Sequence, residues 1–125
     1  MSYPSLMRAA KVQKRAAKAG FDWKNANGPL KKIAEETDEL NRAIENDDKD
    51  NIFEEFGDLF FSIANLSRFL KIDGEQALNR ATDKFIKRFE IVENLAKEKG
   101  IDMQSADPEE LDMLWDEAKQ SIQTE

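Results

Sequence analysis

Apolar residues in this chain return every three to four positions in five separate stretches, and nowhere do they alternate as a strand requires. That periodicity builds helices, so the fold class is all-α. The third stretch constrains the architecture most. From Ile52 to Leu70 the residues Phe53, Phe56, Leu59, Phe60, Phe61, Ile63, Leu66 and Phe69 cover most of a helical circumference. A helix so covered must lie at the centre of a fold or be shared with another chain. With 125 residues and 40% hydrophobic content, the chain has material for one core and not for two. A bundle of four to five helices is the expectation.

The boundaries follow from cap chemistry. Helix one runs from Ser5 to Ala19, and Gly20 supplies its stop. After the polar connector GFDWKNANG, Pro29 occupies the first turn of helix two, whose apolar face is Leu30, Ile33, Ala34, Leu40 and Ile44. The run ENDDKDN is a loop in which Asn51 and Glu54 resemble a capping box for helix three, from Ile52 to Leu70. Asp73 with Gln76 opens helix four, which continues to Lys99 and ends at Gly100. Asp107-Pro108-Glu109-Glu110 opens a short fifth helix carrying Leu111, Leu114, Trp115 and Ala118. No repeat or linker marks a second domain, so residues 1–125 read as one.

The absences narrow the chemistry. Without Cys there is no thiol nucleophile, disulfide or zinc-thiolate site. Without His there is no imidazole base and no imidazole-ligated metal. Acid–base or metal chemistry is left to carboxylates, Lys, Tyr and water. A net charge of −7 disfavours nucleic acid and an anionic membrane surface as partners. The basic N-terminus has no apolar core of a leader, and no run of about 18 apolar residues occurs, so a cytoplasmic protein is the expectation.

The acids are organised. Glu36 with Glu39 and Glu55 with Asp58 each stand at i, i+3, on one stripe of helices two and three. The short loop pairs these helices antiparallel. With its midpoint between Asp48 and Lys49, Glu39 falls level with Asp58, and Glu55 and Glu36 lie about one turn, roughly 5 Å, to either side. Four carboxylates then converge on one seam. Lys32 and Arg42 stand within a turn of the first pair, whereas Glu55 and Asp58 have no basic residue at i±3 or i±4. A ligand set of oxygens alone selects Mg²⁺ or Mn²⁺. Gly57, which costs about 1 kcal/mol against Ala in a helix, fits a close approach by a backbone or a ligand. In a chain with 26 acidic residues, such pairs also arise on a plain solvated face.

The pattern Glu35-Glu36-x-x-Glu39 followed by Glu55-x-x-Asp58 resembles that of the MazG-like nucleoside triphosphate pyrophosphohydrolases, members of the all-α NTP pyrophosphatase superfamily. GFDW (Gly20 to Trp23), EEFGDLFFSIANLSRFLKID, KFIKRF (Lys84 to Phe89) and ELDMLWDEAK (Glu110 to Lys119) are similar to segments of that family in the same order. Thr82 departs from it, since the family often carries Asn there. The resemblance implies a nucleoside triphosphate substrate, cleaved between the α- and β-phosphates to the monophosphate and pyrophosphate. It implies Mg²⁺, with Mn²⁺ as a substitute, on Glu36, Glu39, Glu55 and Asp58. Glu35, about 100° round the helix from Glu36, is then the candidate for positioning or deprotonating water. Lys84 and Arg88, one turn apart, are candidates for the phosphates, and Trp115 and Trp23 for stacking on the base. Phe61, on the far side of helix three from the other phenylalanines, implies a homodimer, alone or as a dimer of dimers, while Phe53, Phe56 and Phe60 read as core. Two alternatives stay open: an acidic helical adaptor without catalysis, and a relative specific for dUTP, dCTP or phosphoribosyl-ATP.

Overall fold

A computed structural model describes residues 4–123. It contains α1 (Ser5–Lys18), α2 (Asn27–Glu45), α3 (Lys49–Leu70), α4 (Gly74–Lys99) and α5 (Pro108–Gln123), with no strand among the described residues. The all-α expectation holds. Among the described residues no helix is long and apolar enough to cross a membrane. The contacts divide the chain into two compact units, one reaching to Ala77 and one starting at Leu78, inside α4.

In the first unit, α2 packs along α3 and α1 packs against α3. Its buried apolar residues include Pro29, under 2% exposed, and two alanines, Ala43 and Ala64, 1% and 3% exposed. Alanine at such positions lets helix backbones approach closely. The turn after α1 is closed by Gly20 at φ +96°, with Phe21 N–H donating to the Ala16 carbonyl. Trp23 lies against Gly28 at the start of α2. A Cβ built on Gly28 would stand 2.5 Å from the indole Cδ2, so only glycine admits the ring there.

The start of α3 differs from the sequence expectation. Its N-cap is Asp48, whose carboxylate accepts from the Asn51 N–H at 3.3 Å, so Asn51 is already inside the helix. Both residues have cap chemistry, and the earlier one wins because Asn46 already ends α2 and only a three-residue connector remains. The centre of the turn therefore falls at Asp47, in the left-handed region at φ 50°. This moves the α2–α3 register by a turn. Glu55, and not Asp58, comes level with Glu39.

The second unit closes around Val92, Ala96, Leu114 and Ala118, with Ile91, Leu95, Ile101, Met103 and Trp115 packed against them. Gly100, at φ +68°, ends α4, and the Ile101 N–H reaches back to the Ala96 carbonyl. Asp107 caps α5 by accepting from the Glu110 N–H at 3.0 Å, as its sequence predicts.

The phenylalanines of α3 depart from the sequence reading. Phe53, Phe56 and Phe60 are not core within the chain, being 85%, 52% and 46% exposed. Phe61 is exposed as expected, at 49%. The helix presents more apolar circumference than α1 and α2 can cover. Gly57, in the same region, has no atom within 4 Å of a Cβ built on it, so no approach from within the chain accounts for it.

Candidate metal centre

Three carboxylates meet across the α2–α3 seam. Glu36, Glu39 and Glu55 each offer an oxygen, and these oxygens all lie within 4.8 Å of one another. Helical spacing sets Glu36 and Glu39 on one stripe of α2, and the register centred on Asp47 brings Glu55 of α3 against them. Glu36 is only 4% exposed, a rare state for a carboxylate unless it is paired. Its partner is Lys32, one turn earlier, with Nζ 3.2 Å from Oε1. Glu35 shares that ammonium at 3.9 Å but keeps half its side chain in solvent.

The cluster divides its charge unevenly. The Glu36 carboxylate facing Glu55, joined by partial desolvation and by Glu39, pushes Glu55 up to about 7. Burial alone would also raise Glu36, but the protonated Glu55 beside it and the Lys32 ammonium outweigh burial and hold Glu36 below the ordinary carboxylate range. Lys32 is raised in turn, chiefly by its hydrogen bond to Glu36. Without a cation Glu36 and Glu55 therefore share a proton, held on Glu55.

Two oxygens of this group, Glu36 Oε2 and Glu55 Oε2, are buried with no hydrogen-bond partner. A buried acceptor without a donor costs about 1–3 kcal/mol, more when charged. A hard divalent cation satisfies such oxygens, and an all-carboxylate donor set suits Mg²⁺ or Mn²⁺ over zinc or copper. The residues fit a metal. Asp58, the fourth acid of the sequence pattern, lies one turn beyond Glu55 on α3, is exposed, and is not among the three that converge.

In the second unit, Arg88 Cζ stands 5.9 Å from the centre of the Trp115 ring, and Phe85 lies 5.3 Å from it on α4. Arg88 Nε is buried without a partner, whereas Lys84 is exposed. Trp115 is partly buried and packs on the core of its unit. Trp23, by contrast, is 49% exposed and lines a cavity in the first unit.

Residues 26–93 match the family model described as the MazG nucleotide pyrophosphohydrolase domain. The chain belongs to the MazG family. Both acidic pairs and the KFIKRF segment fall inside the matched range. Among curated MazG relatives, the nucleoside triphosphate pyrophosphohydrolase/pyrophosphatase MazG of Thermotoga maritima is 45% identical over 121 residues, 97% of this chain and 46% of that protein. The nucleoside triphosphate pyrophosphohydrolase of Escherichia coli K12 is 39% identical over 122 residues, 94% of this chain and 46% of that protein. The chain thus spans about half the length of the curated relatives it matches.

Two features escaped the sequence reading. Gln13 is buried at 6% exposure, donating from Nε2 to the Phe61 carbonyl at 2.8 Å. Its position one turn from Ala9, Ala10, Ala16 and Ala17, in the middle of an apolar stripe, was the available signal. Arg68 holds Asp22 with Nη2 at 2.5 Å and Nη1 at 3.1 Å, across 46 residues of chain, and spacing within a helix cannot reveal such a pair.

Proposed function

We propose that this chain hydrolyses nucleoside triphosphates between the α- and β-phosphates, releasing the monophosphate and pyrophosphate. The observation that carries the reading is the pair of buried, partnerless oxygens in the Glu36–Glu39–Glu55 group of a MazG-family chain. Glu36, Glu39 and Glu55 would hold Mg²⁺, or Mn²⁺ in its place, with Asp58 completing the set from the exposed side. Bound there, the ion supplies screening of the triphosphate charge and a lowered pKa for water.

The chain's own residues supply the rest. Lys32 keeps Glu36 ionised and fixed in place. Glu35 is not drawn into the group of three, keeps solvent access, and is the residue to position or deprotonate the attacking water. The partnerless Nε of Arg88 suits an anionic ligand, so Arg88, with Lys84 one turn earlier, is assigned to the phosphates. Trp23 and Trp115 are the candidate platforms for the base. The exposed phenylalanines of α3 are assigned to a homodimer interface, alone or within a dimer of dimers. A cytoplasmic location accords with such a substrate.

The test is pyrophosphate release from a panel of ribo- and deoxyribonucleoside triphosphates, with Mg²⁺ and with EDTA, for the native chain, Glu55→Gln and Asp58→Asn. Metal-dependent release that Glu55→Gln loses by about 100-fold or more supports the reading, as expected for removal of a metal ligand. A folded chain that releases pyrophosphate from none of them would be an adaptor, and the acidic group a solvated seam.

A further inference from the structure

Charge is distributed unevenly along the chain. Five of its 19 basic residues precede Asp22, while all 26 acids lie from Asp22 onward. Those five, Arg8, Lys11, Lys14, Arg15 and Lys18, all belong to α1 and are all exposed. At about 100° per residue they fall within an arc of roughly 120°, and Arg8 to Lys18 spans about 15 Å of helix axis. The arc lies opposite Gln13, which is buried and donates to a carbonyl of α3. The stripe is therefore the outward face of the helix.

The helix itself gains little from this arrangement. α1 carries no acid, and Asp22, the first acid after it, is held by Arg68. Arg8, Lys14, Arg15 and Lys18 take part in no ion pair among the described residues. Arg15 and Lys18, in the last turn, complement the helix dipole, but Arg8 stands in the first turn, where the dipole opposes a cation. Like charges one turn apart, such as Arg8 with Lys11 and Lys14 with Lys18, repel one another and weaken the helix. A ligand that brings negative charge to this face relieves both.

The character of the face selects the ligand. α1 has no aromatic side chain for an unpaired base to stack on, and no exposed Asn or Gln to read a base edge. An acidic protein partner would need an apolar anchor, and the arc offers only Met7, 38% exposed. A membrane would need the apolar side of α1, which is spent on α3. Regularly spaced phosphates need neither, since release of their counterions drives the contact. Five cations in about 15 Å approach the charge density along one strand of a duplex, about one phosphate per 3.4 Å. The net charge of −7 opposes a polyanion at a distance. At about 0.1 M salt, however, charges beyond roughly 10 Å are largely screened, and the local stripe decides.

We propose that the outward face of α1 binds the phosphate backbone of a nucleic-acid duplex without reading its sequence. The proposal is independent of the hydrolase reading.

The test is fluorescence anisotropy of a labelled DNA duplex titrated with the native chain in EDTA. Binding is expected with a Kd of about 10⁻⁴ to 10⁻⁶ M near physiological salt, equal for duplexes of unrelated sequence. The logarithm of the association constant should fall against the logarithm of salt with a slope of about −4 to −4.5, the value for five phosphate contacts. Lys14→Gln with Lys18→Gln, at exposed positions where Gln keeps the helix propensity, should weaken binding by about tenfold or more and reduce the slope by about 2. Lys49→Gln with Lys97→Gln removes the same charge from exposed positions on α3 and α4 and should change neither. No binding of the duplex, binding that the α1 substitutions leave intact, or an equal loss in both double variants overturns the proposal. So does binding of poly-glutamate or of phosphatidylglycerol vesicles in place of the duplex, which would make α1 a site for an acidic protein or for a membrane.

Discussion

Two glutamates of the same type, facing each other across one helix seam, are driven in opposite directions. Glu36 has Lys32 at 3.2 Å and stays ionised, while Glu55 has no cation within a turn and takes the shared proton. The consequence for stability has a definite sign. Glu55 binds its proton more tightly in the folded chain, with a pKa of about 7 against an ordinary 4.5, so its contribution is present below 4.5 and lost as pH rises toward about 7. In EDTA, the urea midpoint of the native chain should fall between pH 5 and pH 8, and Glu55→Gln should flatten that fall. Saturating Mg²⁺ should reverse it, since binding a cation to the folded state stabilises it. The opposite residue-scale constraint is steric. In Gly28→Ala the new Cβ would stand 2.5 Å from Trp23, so the indole must leave its place, with a loss of about 1–3 kcal/mol in chemical denaturation and a red shift of tryptophan emission.

At the scale of the element, α3 shows how a single cap decides chemistry elsewhere. Asp48, by capping α3 three residues before Asn51, sets the centre of the α2–α3 turn and brings Glu55 to Glu36 and Glu39. Asp48→Ala should cost about 1 kcal/mol in urea unfolding. It should also weaken Mg²⁺ binding followed by calorimetry, because the end of α3 that carries Glu55 frays. In the second unit, the joint between α4 and α5 is centred on Leu114, which is 1% exposed. Leu114→Ala should destabilise that unit by about 2–5 kcal/mol, read as earlier loss of helical signal on heating.

Considered as a whole, the molecule leaves an unusual share of large apolar side chains outside. Phe53, Phe56 and Phe60, on one side of α3, are all at least 46% exposed, in a chain of net charge −7. Isolated apolar residues on a surface are ordinary, but a contiguous helical face of phenylalanine marks an interface. If a second copy covers it, Phe53→Ser with Phe60→Ser should shift the mass measured by light scattering from dimer to monomer at micromolar concentration. Helical content should be retained, because neither residue is core within the chain.

Local interactions made much of this legible beforehand. The five helices, the Gly20 and Gly100 stops, the Asp107 cap and the candidacy of Glu36, Glu39 and Glu55 depend on spacings of a few residues, which the sequence states directly. What lay beyond it were the choices among equivalent options and the long-range meetings. Asp48 and Asn51 were both competent caps, and only the closure of the turn chose between them. The Arg68–Asp22 pair, the contact of Gln13 with Phe61, and the exposure of the α3 phenylalanines depend on which helix faces are left to meet. That is settled by packing three helices at once, where a shift of one turn changes every partner, and no local periodicity contains it.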